Sequence, residues 1–212
     1  MCYNKDISIG TYILGVIGCY NLYINYGYKV EAIFFAWVVQ MQLIEYFLWE
    51  NQTCNDTNKI TTNVGAIVNH AEPVILWIAI LLLSSKQLPH WVNLLMVIFI
   101  IVSIFYTKYV LDDLKDDNCT NVTPESTPHL LWQWNNKEYA RIYYAFFLLC
   151  LTILVINGVD KGYHLGLLIN ISFIISGIIY GNKKSVGAMW CFAAAFGPWI
   201  IPYMYQINLS SI

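Results

Sequence analysis

A chain of 212 residues with 58% hydrophobic and only 11% charged residues, and a mean hydropathy of +0.54, excludes an ordinary soluble domain, in which about a quarter of residues are charged. A net charge of −2 and a single arginine, Arg141, leave no basic stripe and exclude nucleic-acid binding. The apolar residues come in runs of about 17 to 22, enough to cross ~30 Å of hydrocarbon as helices, and are apolar on every face rather than alternating as barrel strands do.

The expected fold is therefore an all-α, polytopic integral membrane bundle of about seven helices, one domain over residues 1–212, with the lipid bilayer as its partner. In chain order the expected spans are Ile7–Ile24, Glu31–Trp49, Thr62–Leu83, Trp91–Tyr109, Tyr139–Ile156, His164–Tyr180 and Val186–Tyr205. Trp49, Trp91, Tyr106, Tyr109, Tyr139 and Tyr203 mark their ends, where aromatic rings favour the headgroup layer. The first run carries Tyr12, Tyr20 and Asn21 and no small-residue cleavage site, so it reads as a span rather than a signal peptide. Loops are short except Lys108–Lys137. Its acidic, proline-bearing first half reads as solvated, and Leu130–Trp134 reads as an interfacial patch. No internal repeat supports an inverted-repeat transporter.

Orientation signals conflict. Seven spans put Lys5, Lys59, Lys108, Lys115, Lys137, Arg141, Lys183 and Lys184 on one face and Lys29, Lys86 and Lys161 on the other, which votes for the first face being cytoplasmic. That same face carries the sequons at Asn51, Asn55, Asn118 and Asn121 together with Cys54 and Cys119. Glycosylation or a Cys54–Cys119 disulfide would need it to be extracytoplasmic, and the reading leans that way. Cys19, Cys150 and Cys191 lie in spans and read as packing residues.

Chemistry concentrates in the second and third spans. Gln42, Glu45 and Trp49 stand i, i+3, i+7 and share a helical face, while Asn69 and Glu72 share a face of the next span with His70 one step round. Glu45 and Glu72 read as the only carboxylates inside apolar runs, and His70 as the one deep histidine. A charged group facing lipid costs ~2.5–3.5 kcal/mol, so Gln42, Glu45 and His70 are expected to turn inward against one another. Glu45 with His70 would make an acid/base pair beside hydrogen-bonding Gln42 and Asn69; the bland alternative is a polar clamp that fixes helix register. Pro73 is expected to kink the third span and free the carbonyl at position 69.

In the last span Ala193–Ala195 should admit a close helix neighbour, and Pro198 and Pro202 should break the helix beside Trp190 and Trp199. Asn170 reads as an interhelical hydrogen bonder. No Cys/His spacing suits zinc, and His90, His129 and His164 at interfaces or in a loop are assigned no metal; no cofactor is expected. A retinal pigment would need a lysine in the last span, and none lies between Ser185 and Ile212.

The string Met41–Trp49, followed by Cys54, Asn58, Thr61 and the step His70-Ala71-Glu72-Pro73, resembles a family of uncharacterised multi-spanning membrane proteins of large DNA viruses and microbial eukaryotes. The shared pattern is Met-Gln-x-x-Glu-x-x-x-Trp, a Cys/Asn-containing loop and a polar-Pro step, about forty residues in all. Many members of that family carry Gln directly before the proline, where this chain has Glu72. The resemblance implies a polytopic membrane architecture and no activity. Three functions remain open: a small-molecule or proton-coupled transporter, channel or sensor; a structural or accessory membrane protein of a virion or endomembrane; and an intramembrane enzyme acting on lipid or sterol. The first is preferred, and an enzyme is the less expected outcome.

Overall fold

The structure is a computed structural model that describes residues 4–114, 119–122, 129–180 and 186–206. Asn118, Lys115, Lys183 and Lys184, and the loop 181–185, lie outside the described residues.

The fold is all-α. In chain order the helices are α1 (Lys5–Ile24), α2 (Lys29–Val38), α3 (Gln40–Glu50), α4 (Asp56–His70), α5 (Glu72–Leu83), α6 (His90–Asp113), α7 (Ala140–Gly158), α8 (Gly162–Tyr180), α9 (Val186–Ala194) and α10 (Gly197–Met204). A two-residue antiparallel pair, β1 (Asn121–Val122) and β2 (Leu130–Leu131), and a 3₁₀ turn at Gln133–Asn136 fold between α6 and α7. Five stretches are long and apolar enough to cross a membrane, α2 and α3 together counting as one over Lys29–Glu50; counting the bent pairs α4/α5 and α9/α10 as one span each gives up to seven.

The centre of the bundle is α2/α3. Their hydrophobic window is 56% buried against 22% for α6, which places α6 at the periphery. Around that centre pack α1, α4, α5, α9 and α10, with α6, α7 and α8 completing the bundle. Glycine allows the tightest approaches. A Cβ on Gly15 of α1 would stand 2.6 Å from Val39 between α2 and α3, and one on Gly197 would stand 2.4 Å from the Phe35 ring. On Gly158 of α7 it would meet Ile80 of α5 at 2.6 Å.

Polar contacts tie the two ends. At one, Lys5 pairs with Glu50 at 2.7 Å and Lys137 with Asp113. At the other, Ser84 donates to the Gly158 carbonyl at 2.6 Å, Lys86 to that of Val159 at 2.8 Å, and Lys161 to that of Tyr205.

The third and seventh segments depart from straight spans. The third starts at Asp56, where Asn55 caps the helix by accepting from the Asn58 N–H at 2.9 Å, and bends by 47° between His70 and Glu72. Pro73 stands in the first turn of α5, where its missing N–H costs no helical bond. The last segment bends by 59° ahead of Pro198, while Pro202 is carried inside α10 without ending it. The break thus falls at Ala195–Phe196, before the prolines rather than at them.

The Leu130–Trp134 stretch is not an interfacial patch. Leu130, Trp132 and Trp134 are buried, the two indoles stacked with centroids 4.8 Å apart. Glycines create the room: a Cβ on Gly65 of α4 would stand 2.7 Å from the Trp134 ring, and one on Gly187 of α9 would meet the Trp132 ring at 3.2 Å. Two large apolar surfaces gain more from enclosure than their N–H groups gain from water. His129, just before them, is buried too.

Of the first half of this loop, Cys119 and Thr120 are buried against the bundle, while residues 115–118 and 123–128 lie outside the described residues. Cys119 is joined to Cys54 with Cα atoms 5.5 Å apart. Beside the bridge, the Asn58 side chain acts as a surrogate backbone, accepting from the Thr120 N–H at 3.1 Å and donating to the Thr120 carbonyl at 2.9 Å. Thr62 closes the cluster on Asn58 and the Thr120 hydroxyl. Asn58→Ala would leave both Thr120 groups unpaired in a buried site, a cost of about 2–4 kcal/mol. Thermal unfolding followed by tryptophan fluorescence should show a clear drop in Tm, and an unchanged Tm would mean that this segment is not held by Asn58.

Candidate functional site

The six residues singled out from the sequence fall into two groups. Gln42 and Glu45 lie on α3, both fully buried on the side that α1, α4 and α9 cover, while Phe47 leaves the other side exposed. Trp49, one turn further on, packs against the core, and its indole N–H has no hydrogen-bond partner among the described residues. Their shared stripe on α3 therefore faces the interior.

Asn69, His70 and Glu72 form the second group at the break between α4 and α5. A helix bent there cannot close its own ladder, and the loose carbonyls are taken by neighbours. Trp37 of α2 donates to the Val68 carbonyl at 2.9 Å, and Ser103 of α6 approaches the His70 carbonyl at 3.4 Å. The freed acceptors with side-chain partners are thus at 68 and 70, flanking the expected position 69.

Side chains continue the network. Asn69 donates to Glu72 Oε1 at 3.0 Å and accepts from the Tyr144 hydroxyl at 2.6 Å. His70 Nδ1 lies 2.8 Å from the Thr107 hydroxyl. Ser103 and the Tyr143 hydroxyl are 2.9 Å apart. The imidazole is walled by Tyr143 at 4.8 Å and Tyr106 at 5.4 Å between ring centroids.

The expected Glu45–His70 pairing is therefore not what His70 makes: its partners are Thr107, Tyr106, Tyr143 and Tyr144, all on α6 and α7. The reason is rotational. His70 stands one step round from Asn69, so when Asn69 turns towards Glu72 and Tyr144 the ring is carried to the α6/α7 side. Asn69 and Glu72, three apart, do meet.

Three buried polar atoms at the break have no hydrogen-bond partner among the described residues: His70 Nε2, Glu72 Oε2 and the Tyr106 hydroxyl. A buried carboxyl oxygen without a donor is costly as an anion and far cheaper as the neutral acid. Glu72 thus holds an acidic side chain at the bend, one oxygen bonded to Asn69 and the other without a donor among the described residues. No group of three or more His, Cys, Asp or Glu side chains gathers as a metal site among the described residues.

Sequence reading overlooked the four α6/α7 partners and a third buried carboxylate. Glu31, at the expected start of its span, is buried and accepts from the Tyr205 hydroxyl at 2.8 Å. The signal was present: Glu31 stands three and four residues before Phe34 and Phe35, on the face they bury. Tyr143 and Tyr144 carry no such signal, since adjacent tyrosines in an apolar run read as packing. Asn170 bridges α8 to α7 by donating to Thr152 at 2.9 Å.

The chain matches no protein-family model, no curated protein and no solved structure. The resemblance carried by Met41–Trp49 and the step to Pro73 therefore rests on those residues alone.

Tyr144 and Glu72 are linked through Asn69, whereas Thr107 acts on a separate branch through His70. Tyr144→Phe combined with Glu72→Gln should show a coupling of about 0.5–1.5 kcal/mol in unfolding free energy, and Thr107→Val with Glu72→Gln should add within ~0.5 kcal/mol. Denaturant unfolding of the single and double variants measures both, and an additive first pair would contradict the chain through Asn69.

Proposed function

We propose that this chain is an integral membrane protein of seven spans, two of them broken, and that the break between α4 and α5 is a proton-titrating centre used for transport or sensing. Glu72 is the proton-carrying group, Asn69 and Tyr144 position the carboxyl, and His70 with Tyr106 forms a separate buried polar branch on the α6 side of the bend. The observation that carries this reading is the fully buried Glu72 carboxyl at the bend, whose Oε2 has no hydrogen-bond partner among the described residues. Within hydrocarbon, unwound backbone persists only where protein or water satisfies it, and such breaks are where membrane proteins place ion and substrate sites. A register clamp needs only neutral amides; an ionisable carboxyl at that depth is expensive and is kept where it is used.

The hydrogen bonds that close Asn69, Tyr144, Ser103 and Tyr143 on one another favour a second reading, in which the centre only holds the bend. Orientation belongs to the same proposal. The Cys54–Cys119 bridge supports an oxidising compartment at that end. The opposite end, with Lys29, Lys86 and Lys161, then faces the cytoplasm.

Reconstitution into liposomes with an entrapped pH-sensitive dye tests the centre. A proton flux under an imposed gradient should be present in the wild type and fall by about tenfold or more in Glu72→Gln, the loss expected when a proton-transferring group is removed, while Tm stays close to wild type. No flux in the wild type, or full flux with a lowered Tm in the variant, would leave the clamp as the role of this cluster.

A further inference from the structure

A second feature lies on the outer side of the α2/α5 contact. There a groove of about 600 Å³ opens on the bundle surface, walled by Ile33, Trp37 and Gln40 on one side and Ile75, Ile78 and Leu82 on the other. Its volume falls in the range of small-molecule sites, about 300–1,000 Å³. The walls are almost wholly apolar, and the Trp37 N–H is already committed to the Val68 carbonyl. A polar ligand would have nothing to recognise along most of its length.

Charge stands at one end. Lys29, Ile33, Ala36 or Trp37, and Gln40 follow one another at helical spacing, so Lys29 sits one turn before the groove on the same stripe. Lys29 is exposed, and its contact among the described residues is the face of Tyr23, at 5.7 Å. Lys86, beyond the other wall, is already engaged by the Val159 carbonyl. From Lys29 to Gln40 the helical rise is about 16 Å, close to the ~15 Å half-thickness of a bilayer's hydrocarbon core. The groove itself runs about 10 Å, from Ile33 to Gln40, and together with Lys29 one turn beyond its mouth the stripe covers the depth of one leaflet.

The geometry points to a single-lipid site: an anionic phospholipid of the leaflet at the Lys29 end, one acyl chain in the α2/α5 groove and its phosphate against the Lys29 ammonium. The inference rests on the membrane reading given above, and the orientation argued there puts this end at the leaflet where anionic lipids collect. Trp37 links the two features. It lines the groove while holding the Val68 carbonyl at the break, so an occupied groove presses on the support of the Glu72 centre.

Trp37 also supplies the test. The full-length protein is reconstituted in phosphatidylcholine bilayers containing rising fractions of phosphatidylglycerol or phosphatidylcholine with mid-chain brominated tails. Quenching is read in the wild type and in Trp37→Phe, the difference isolating Trp37. The expected result is a saturable Trp37 component reached at much lower fractions of the glycerol lipid. Lys29→Gln should cut that preference by about fivefold, the equivalent of ~1 kcal/mol for one basic residue at an anionic surface. Ala36→Leu, which fills the groove, should remove the component for both lipids. Quenching that rises in proportion to lipid with no headgroup preference, or a preference unchanged in Lys29→Gln, overturns the site while leaving the membrane reading in place. If neither brominated lipid quenches any of the protein's tryptophans, the membrane reading falls, and the site with it.

Discussion

The bend at Ala71 makes the rest of the bundle necessary. A straight helix through residues 56–83 could not close its own backbone, because Pro73 has no N–H to give the Asn69 carbonyl. Bent by 47°, it needs donors from outside, and it obtains them from Trp37 and Ser103 on two different helices. Those donors must arrive from opposite sides, so α4/α5 is held between α2 and α6, with α7 closing the gap. The same closure brings Tyr143 and Tyr144 against His70 and Asn69. The polar centre is thus a consequence of how the bend is satisfied.

The end of the bundle near Cys54 is organised by a comparable economy of donors. Asn58 substitutes for a strand partner, pairing with both backbone groups of Thr120, and the disulfide fixes the adjoining residue. Once that short segment is anchored, β2 and the 3₁₀ turn follow it into the bundle and deliver Trp132 and Trp134 into the spaces left by Gly187 and Gly65. The described parts of this connection, Cys119 and Thr120 and then Leu130, Trp132 and Trp134, are thereby buried. Its burial closes the bundle above α3, where Gln42 and Glu45 lie.

The disulfide end is tied by ion pairs between side chains, Lys5 with Glu50 and Lys137 with Asp113. The other end has one longer pair, Lys86 with Asp160 at 3.9 Å, and adds lysines that reach backbone carbonyls and the buried Glu31, which takes the Tyr205 hydroxyl. Exposed ion pairs contribute little, ~0–1 kcal/mol each, so the first set orients helices more than it stabilises them. A carboxylate shielded as Glu31 is depends on its donor, which makes the end of α10 a fixed part of the fold.

What the sequence determined by itself was the class of element and the inventory of costly residues. Long runs apolar on all faces can only be helices in such a chain, and a glutamate or histidine inside one must be turned inward. The spacing put Asn69 and Glu72 on one face, and they meet there although the helix bends between them. Only the tertiary structure decided whom His70 meets, since rotation about the helix axis depends on which neighbour satisfies the bend. It also decided the burial of Trp132 and Trp134, because the glycines that make room for them lie on α4 and α9, far away in the chain. Glu31 shows the same division: its own helix brings it to the buried face, but its partner Tyr205 comes from the far end of the chain. Local periodicity states which side chains need a partner; packing alone chooses the partner.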